Sequence, residues 1–308
     1  AEAAAAAGGD EGLCGEMLCF SNVKIWPLEE DLLIATDQQT WPMEGFEPVM
    51  YLSDDSLALV GGAPRIEAGS VLDLCCGSGV QGIVALRHYA DSATFVDINP
   101  RALDFVRFNI SLNGLGGKVA GLYHGNLYEA LPPEVGPFDV ILANPPFLPN
   151  PQGIASQAIA LFGDGGELGE QVLAEAVQGA AGRLQRGGRL VAVTYAPNVE
   201  DMPGRLERWL AEGVVGSADC RAVVLSGAQK PTEEFQPVAS RVEAKCYQEA
   251  LRRLGVVSLS EALTLVLQAE GGPGDGGPRA EGVEPREALF EDHAFLRSLT
   301  QRVAEGSV

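Results

Sequence analysis

Two stretches of the 308-residue chain combine residue types and spacing able to do chemistry. The first is Asp73-Leu74-Cys75-Cys76-Gly77-Ser78-Gly79-Val80-Gln81-Gly82, which closes an apolar run and leads directly into a helix pattern. Gly77 and Gly79 permit a tight turn, and without Cβ atoms they let a ligand approach the backbone at the positive end of that helix. The second is Asn144-Pro145-Pro146-Phe147, placed directly after the apolar run FDVILA. Consecutive prolines hold off a helix and remove two backbone donors, so carbonyl acceptors stand exposed beside the Asn144 side chain. Such a set suits a planar NH2 group. The Asn144 side-chain oxygen and the Pro145 carbonyl take its two hydrogens, and Phe147 stacks on its plane. An amide or aromatic amine is a poor nucleophile because its lone pair is delocalised. The chemistry is then one of orientation, with the lone pair aimed at an electrophile about 3 to 3.5 Å away and acceptors placed for the developing positive charge.

Gly77, Gly79 and Gly82 also satisfy G-x-G-x-x-G, and Asp97 stands at the end of the second apolar run, which is the spacing of a dinucleotide-binding loop. Three features oppose that reading. Asp73 would repel a pyrophosphate while suiting a cationic or ammonium-bearing ligand, the chain has no Tyr-x-x-x-Lys pair, and the Asn144 motif is left without a role.

Taken together, VLDLCCGSGVQGI (71–83), FVDINPRAL (95–103) and FDVILANPPF (138–147) resemble the class I S-adenosylmethionine-dependent methyltransferases, in the branch that carries an Asn-Pro-Pro-aromatic motif. The resemblance covers about residues 50–226. It implies S-adenosylmethionine as cofactor, with Asp73, Gly77 and Gly79 holding its methionine portion, Asp97 accepting from both ribose hydroxyls and Ile98 lying against adenine. Cys75, Asn126, Leu127 and Asn144 complete the implied cofactor contacts. Two positions depart from the family pattern: Cys75 stands where Gly is usual, and Asn126 stands where an Asp commonly receives the adenine amino group. An amide oxygen at Asn126 can still accept that hydrogen bond.

In that family the motif at Asn144, Pro145 and Phe147 marks methylation of protein glutamine side chains, of exocyclic amines in RNA or DNA bases, and of some small molecules. The stretch GDGGELGEQVL (163–173) resembles the loop found after this motif in the glutamine-modifying members. The expected activity is methyl transfer to an amide or amine nitrogen, foremost of a protein glutamine side chain or a small molecule. The alternatives are an RNA base-amino methyltransferase, and a non-catalytic methyltransferase-like subunit for binding or assembly.

These residues must be positioned by a sheet. VLDLCC, ATFVDI, VAGLYH, FDVILA, GRLVAVTYA and CRAVVLS are near-continuous apolar runs, mostly separated by helical stretches. That alternation predicts a doubly wound, mostly parallel α/β sheet covered on both faces. The resemblance makes it a seven-stranded, Rossmann-like methyltransferase sheet. One helix is bounded by Asn99-Pro100 and Asn113-Gly114. Others are expected over 167–184, 240–254, 259–269 and 285–303, the last packing on the body or on a protein partner. The implied division is a disordered tail at 1–21, a hairpin and short helix at 22–60, the methyltransferase domain at 61–230, and a helical extension at 231–308 with a Gly/Pro linker at 271–282.

Composition bounds the partners. Lys and Arg total 21 against 42 Asp and Glu, a net charge of −21. That field repels phosphate backbones, so nucleic acid is disfavoured as a substrate. No apolar run is long enough to span a bilayer, and no membrane span is expected. The first residues, AEAAAAAGGDEG, lack the basic and hydrophobic parts of a secretory signal; they read as a trimmed boundary or the remnant of an organelle-targeting segment. Six cysteines without a C-x-x-C pair indicate a reducing compartment, cytoplasm or organelle stroma or matrix. With His88, His124 and His293 far apart in sequence, no metal site is expected.

Overall fold

The computed structural model describes residues 21–29, 31–38, 46–151, 159–213, 219–235, 244–269, 278–283 and 293–305. Nearly all of the tail expected at 1–21 and most of the linker at 271–282 lie outside these residues. An antiparallel hairpin, β1 (Val23–Leu28) and β2 (Leu32–Asp37), precedes the main sheet. The chain continues through α1 (Asp54–Gly62), β3 (Ala68–Leu74), α2 (Val80–His88), β4 (Ala90–Asp97), α3 (Pro100–Leu112), β5 (Val119–His124) and β6 (Phe138–Ala143). The remainder is α4 (Gln171–Ala180), β7 (Leu184–Pro197), α5 (Met202–Glu212), β8 (Cys220–Pro231), α6 (Ala244–Arg253), β9 (Ser258–Gln268), β10 (Arg279–Val283) and α7 (His293–Glu305).

The main sheet has eight strands in the order β10-β8-β9-β7-β6-β3-β4-β5. All neighbours are parallel except β9, which runs antiparallel between β7 and β8. Alternate residues of β3 feed two apolar layers: Val71 joins Ile83, Phe95 and Val106 from the α2 and α3 side, while Leu72 and Leu74 join Leu173, Val177 and Leu206 from α4 and α5. Chain order reverses at β3 and β6, so the crevice beyond their carboxyl ends is the natural ligand position of an open α/β sheet.

The helix expected at 259–269 is instead β9. Its Leu, Ala and Glu content favours a helix, but the run is apolar on both faces. Leu259, Ala262, Leu263, Leu265, Val266 and Leu267 are all buried between two strands, a burial that no one-sided amphipathic helix achieves. The end of the expected linker is likewise ordered, as β10, an eighth strand alongside β8. The helix expected over 167–184 is shorter: α4 stops at Ala180, and Leu184 already begins β7. At α3 the expected ends hold, since the Asn99 side chain accepts from Arg101 N at 3.0 Å and Gly114 takes a positive φ after the Asn113 cap.

The hairpin is fastened to the body through α3. Asn109 accepts from Ala35 N at 2.8 Å and donates to Ala35 O at 2.9 Å, and Asn113, one turn on, repeats the pairing at Leu33. Two asparagines thus serve the free backbone edge of β2 as a third strand would. Asp37, fully buried, is paired with Arg101 and accepts from Val49 N at 2.8 Å, which holds the segment Pro48–Tyr51 over the sheet edge.

Behind the loop at 163–170 lies a buried ion pair, Glu170 with Arg205 at 2.9 Å. Burial pushes the Glu170 carboxyl up to about 7 against the opposing pull of Arg205 and Arg208. The folded chain therefore holds this proton more tightly than the unfolded chain. The associated stability is present below about pH 4.5 and is lost as pH rises through about 7. Glu170→Gln, which mimics the protonated form, is expected to flatten the fall of the urea midpoint between pH 5 and pH 8. Parallel curves for parent and variant would contradict it.

Candidate functional site

In the paired register Leu74 of β3 faces Val96 of β4 on one side and Ala143 of β6 on the other. The next residue of each strand is Cys75, Asp97 and Asn144, so the three stand at one level on one sheet edge. The outer two backbones are roughly 10 Å apart across β3. The resulting cleft is lined by Cys75, Cys76, Gly77 and Ser78 from the glycine loop, Gln81 from α2, and Asp97, Ile98 and Asn99 after β4. Gly125, Asn126 and Leu127 after β5 add one wall; Asn144 and Pro146 after β6 another; Pro48 to Tyr51, Ser56, Leu161, Phe162 and Asp164 close the mouth.

The glycine loop owes its shape to left-handed backbone. Cys75, Gly77 and Gly79 have φ of 54°, 51° and 80°. A side chain at Gly77 would meet no other atom within 4 Å, so this face of the loop is open to a ligand. At Gly79 a Cβ would lie 2.9 Å from Val106, and at Gly82 2.4 Å from the Phe95 ring; those two glycines serve helix-to-sheet packing. Cys75 keeps the left-handed conformation that usually favours glycine, which costs on the order of 1 kcal/mol. Burial pushes its thiol well above the ordinary range, which disfavours the thiolate.

Asp97 anchors the loop: Oδ2 accepts from Gly77 N and Oδ1 from Asn99 N, each at 2.8 Å. Each carboxylate oxygen keeps a further lone pair for an incoming hydroxyl. Burial raises the Asp97 pKa, an effect that the Asn99 and Gly77 amides reduce. Beside it Ile98 is half exposed, an apolar side chain at the rim that a flat ring would cover.

At the other end of the cleft the Asn144 Nδ2 donates to Asp55 Oδ2 at 3.0 Å. Among the described residues its Oδ1, which is buried, has no hydrogen-bond partner.

Four expected site residues stand outside the cleft lining. Asp73 is fully buried beneath the loop, where Oδ2 accepts from Gly82 N at 2.8 Å; it holds the start of α2. Gly79 packs on Val106, and Pro145 is buried between its neighbours. The Phe147 ring turns back into an aromatic cluster, 5.2 Å from Tyr195, with Phe235 and with Tyr247 of α6, whose Oη donates to Pro149 O at 2.6 Å. The rings that do line the cleft are Tyr51 and Phe162. Asp55 and Tyr51 carry no signal in the sequence. They reach the site from a segment some 90 residues before Asn144 in the chain, and no local spacing marks that contact.

Among the described residues no group of three or more His, Cys, Asp or Glu is placed to hold a metal ion, and no helix is long and apolar enough to cross a membrane. The residues present fit S-adenosylmethionine: paired acceptors at Asp97 for a diol, apolar Ile98 and Leu127 for a ring, an open glycine loop, and a spare acceptor at Asn144.

Comparison with known proteins agrees with this geometry. The sequence profile of the methyltransferase small domain matches residues 54–211, just over half of the chain. A provisionally named protein N5-glutamine methyltransferase of Methanocaldococcus jannaschii is 30% identical over 146 residues, 47% of this chain and 69% of its own length. The release factor glutamine methyltransferase of Deinococcus radiodurans is 33% identical over 159 residues, 48% of this chain. The ribosomal RNA small subunit methyltransferase C of Pseudomonas aeruginosa is 32% identical over 203 residues, 61% of this chain. The chain spans about half the length of the latter two, 54% of each. With its loop, its strand-end acid and the match across α1 to α5, the chain belongs to the methyltransferase small domain family, the S-adenosylmethionine-dependent methyltransferases.

Proposed function

We propose that this protein methylates a nitrogen, and that its acceptor is an amide in a protein, foremost a glutamine side chain. The observation that carries this reading is the Asn144 Oδ1, a buried acceptor without a partner at the carboxyl end of β6. An NH2 group placed there would satisfy it, and together with the Pro145 carbonyl that hydrogen bond would aim the nitrogen lone pair at the methyl carbon of a bound cofactor. Gly77, Asp97, Ile98, Asn126 and Leu127 would hold the cofactor, with Asn144 at its reactive end. When bound, S-adenosylmethionine supplies the methyl group as an electrophile. Asn144 orients the acceptor, and its dipole stabilises charge developing on the nitrogen. No strong base is needed, because the methylated nitrogen is acidic and releases its proton to water.

Support for a protein acceptor comes from the charge of −21 and from two relatives named for glutamine methylation. A base-amino acceptor in RNA is the second reading, favoured by the relative named for ribosomal RNA. Incubation of soluble extract with tritiated S-adenosylmethionine separates them. Protein-borne label that survives ribonuclease and is released by protease supports the first. Label removed by ribonuclease, or a salt-sensitive submicromolar affinity for RNA, overturns it.

A further inference from the structure

We propose that Asp55 is a positioning residue: it sets the Asn144 carboxamide so that the oxygen, and not the NH2, meets the acceptor nitrogen. The proposal rests on the nitrogen-methylation reading above and adds to it a second residue from a different part of the chain. The two ends of a carboxamide are nearly equal in size, so packing alone does not choose between them. A carboxylate only accepts. With Asp55 Oδ2 at 3.0 Å the Nδ2 must face it, and the Oδ1 must face the other way. Among the described residues the Oδ1 then has no protein partner, which leaves it available to a donor from the methyl acceptor.

Asp55 is itself held. Its Oδ1 accepts from Ser53 Oγ, and Ser53 is the residue at the N-terminal cap of α1. The expected bond from Ser53 to the helix backbone is absent from that cap; the hydroxyl serves Asp55 instead. One turn on, Ser56 O accepts from Gln81 Nε2 at 3.0 Å, and Gln81 lies in α2 directly after the glycine loop. Through α1, the group that orients the acceptor is therefore tied to the element that shapes the cofactor loop.

Asp55→Asn and Asp55→Ala discriminate this role from a charge effect. An asparagine at position 55 can turn its oxygen to Asn144 and its NH2 to the Ser53 hydroxyl, which also accepts; alanine can do neither. With tritiated S-adenosylmethionine and the soluble protein extract as acceptor pool, Asp55→Ala is expected to lose about 10- to 100-fold in saturating rate. Asp55→Asn should stay near the parent, and cofactor affinity by calorimetry should be unchanged in both. Asp54→Ala removes the same helix-end charge from the neighbouring exposed position and should leave the rate unchanged. In an Asn144→Ala background, Asp55→Ala should cost nothing further.

A second readout needs no acceptor. The Asn144 side-chain NH2 protons of the free protein should exchange slowly in the parent and in Asp55→Asn, and rapidly in Asp55→Ala. The proposal is overturned if Asp55→Ala keeps the parental rate, if Asp55→Asn falls as far as Asp55→Ala, if the double variant is slower than Asn144→Ala, or if the exchange is insensitive to residue 55. Should the parent label nothing, nitrogen methylation fails by itself, and the exchange measurement still decides whether Asp55 sets the amide.

Discussion

Asn144→Ala should lower turnover by about 100- to 1,000-fold, the loss typical of one positioned polar contact in a transition state, and should leave cofactor affinity close to that of the parent. The asymmetry follows from the proposed roles: Asn144 Oδ1 serves the methyl acceptor, whereas Asp97 and Ile98, which also line the cleft, would hold the ribose and the ring. Asn144→Asp should retain more activity than Asn144→Ala, with a pH dependence that the pairing with Asp55 dictates. Two carboxylates about 3 Å apart share a proton. In the protonated pair the residue at 144 still donates to Asp55 and still offers a carbonyl oxygen, so the rate of Asn144→Asp should rise as pH is lowered. Parental turnover in Asn144→Ala would remove the orientation mechanism and favour a binding or assembly role.

Asp97→Ala should weaken S-adenosylmethionine binding by tenfold or more in calorimetry. Two charge-assisted hydrogen bonds to a diol are each worth roughly 1.5 to 3 kcal/mol. The substitution also frees the Gly77 and Asn99 amides, which loosens the turn that shapes the cleft. A pH signature accompanies it. Burial raises the Asp97 pKa, and the ionised form is the better double acceptor. Parental affinity should therefore fall on acidification, starting above the ordinary range of an aspartate, and the Asp97→Ala variant should lack that fall. Equal affinity in parent and variant would refute the ribose assignment.

The edge that carries the cleft is readable in the sequence because parallel strands buried on both faces are near-continuous apolar runs, and the residues at the carboxyl end of each such strand gather on one edge of the sheet. That rule locates Asp97 and Asn144, together with the glycine loop. Contacts that depend on distant chain segments are not readable in this way. Asp55 looks like an ordinary acidic first-turn residue until α1 is seen beside the end of β6. Phe147 looks like a stacking platform until α6 supplies Tyr247 and completes the cluster that draws its ring inward. The strand β9 is hidden for an energetic reason: the helix preference of its Leu and Ala residues is overridden by burial between β7 and β8. Asp73 suggests a ligand contact by its sequence position; in the fold its Oδ2 accepts from Gly82 N and supports the loop from beneath, while its Oδ1 is buried without a partner among the described residues.

The most direct measurement is the chemical identity of the transferred methyl group. Protein labelled by the parent enzyme with tritiated S-adenosylmethionine, then hydrolysed in strong acid, should release the tritium as methylamine, because a methylated side-chain amide breaks into a carboxylic acid and that amine. Complete enzymatic digestion of the same material should instead yield labelled N5-methylglutamine. Label recovered on an RNA base, on a carboxylate ester that releases methanol, or on no acceptor at all would contradict the account.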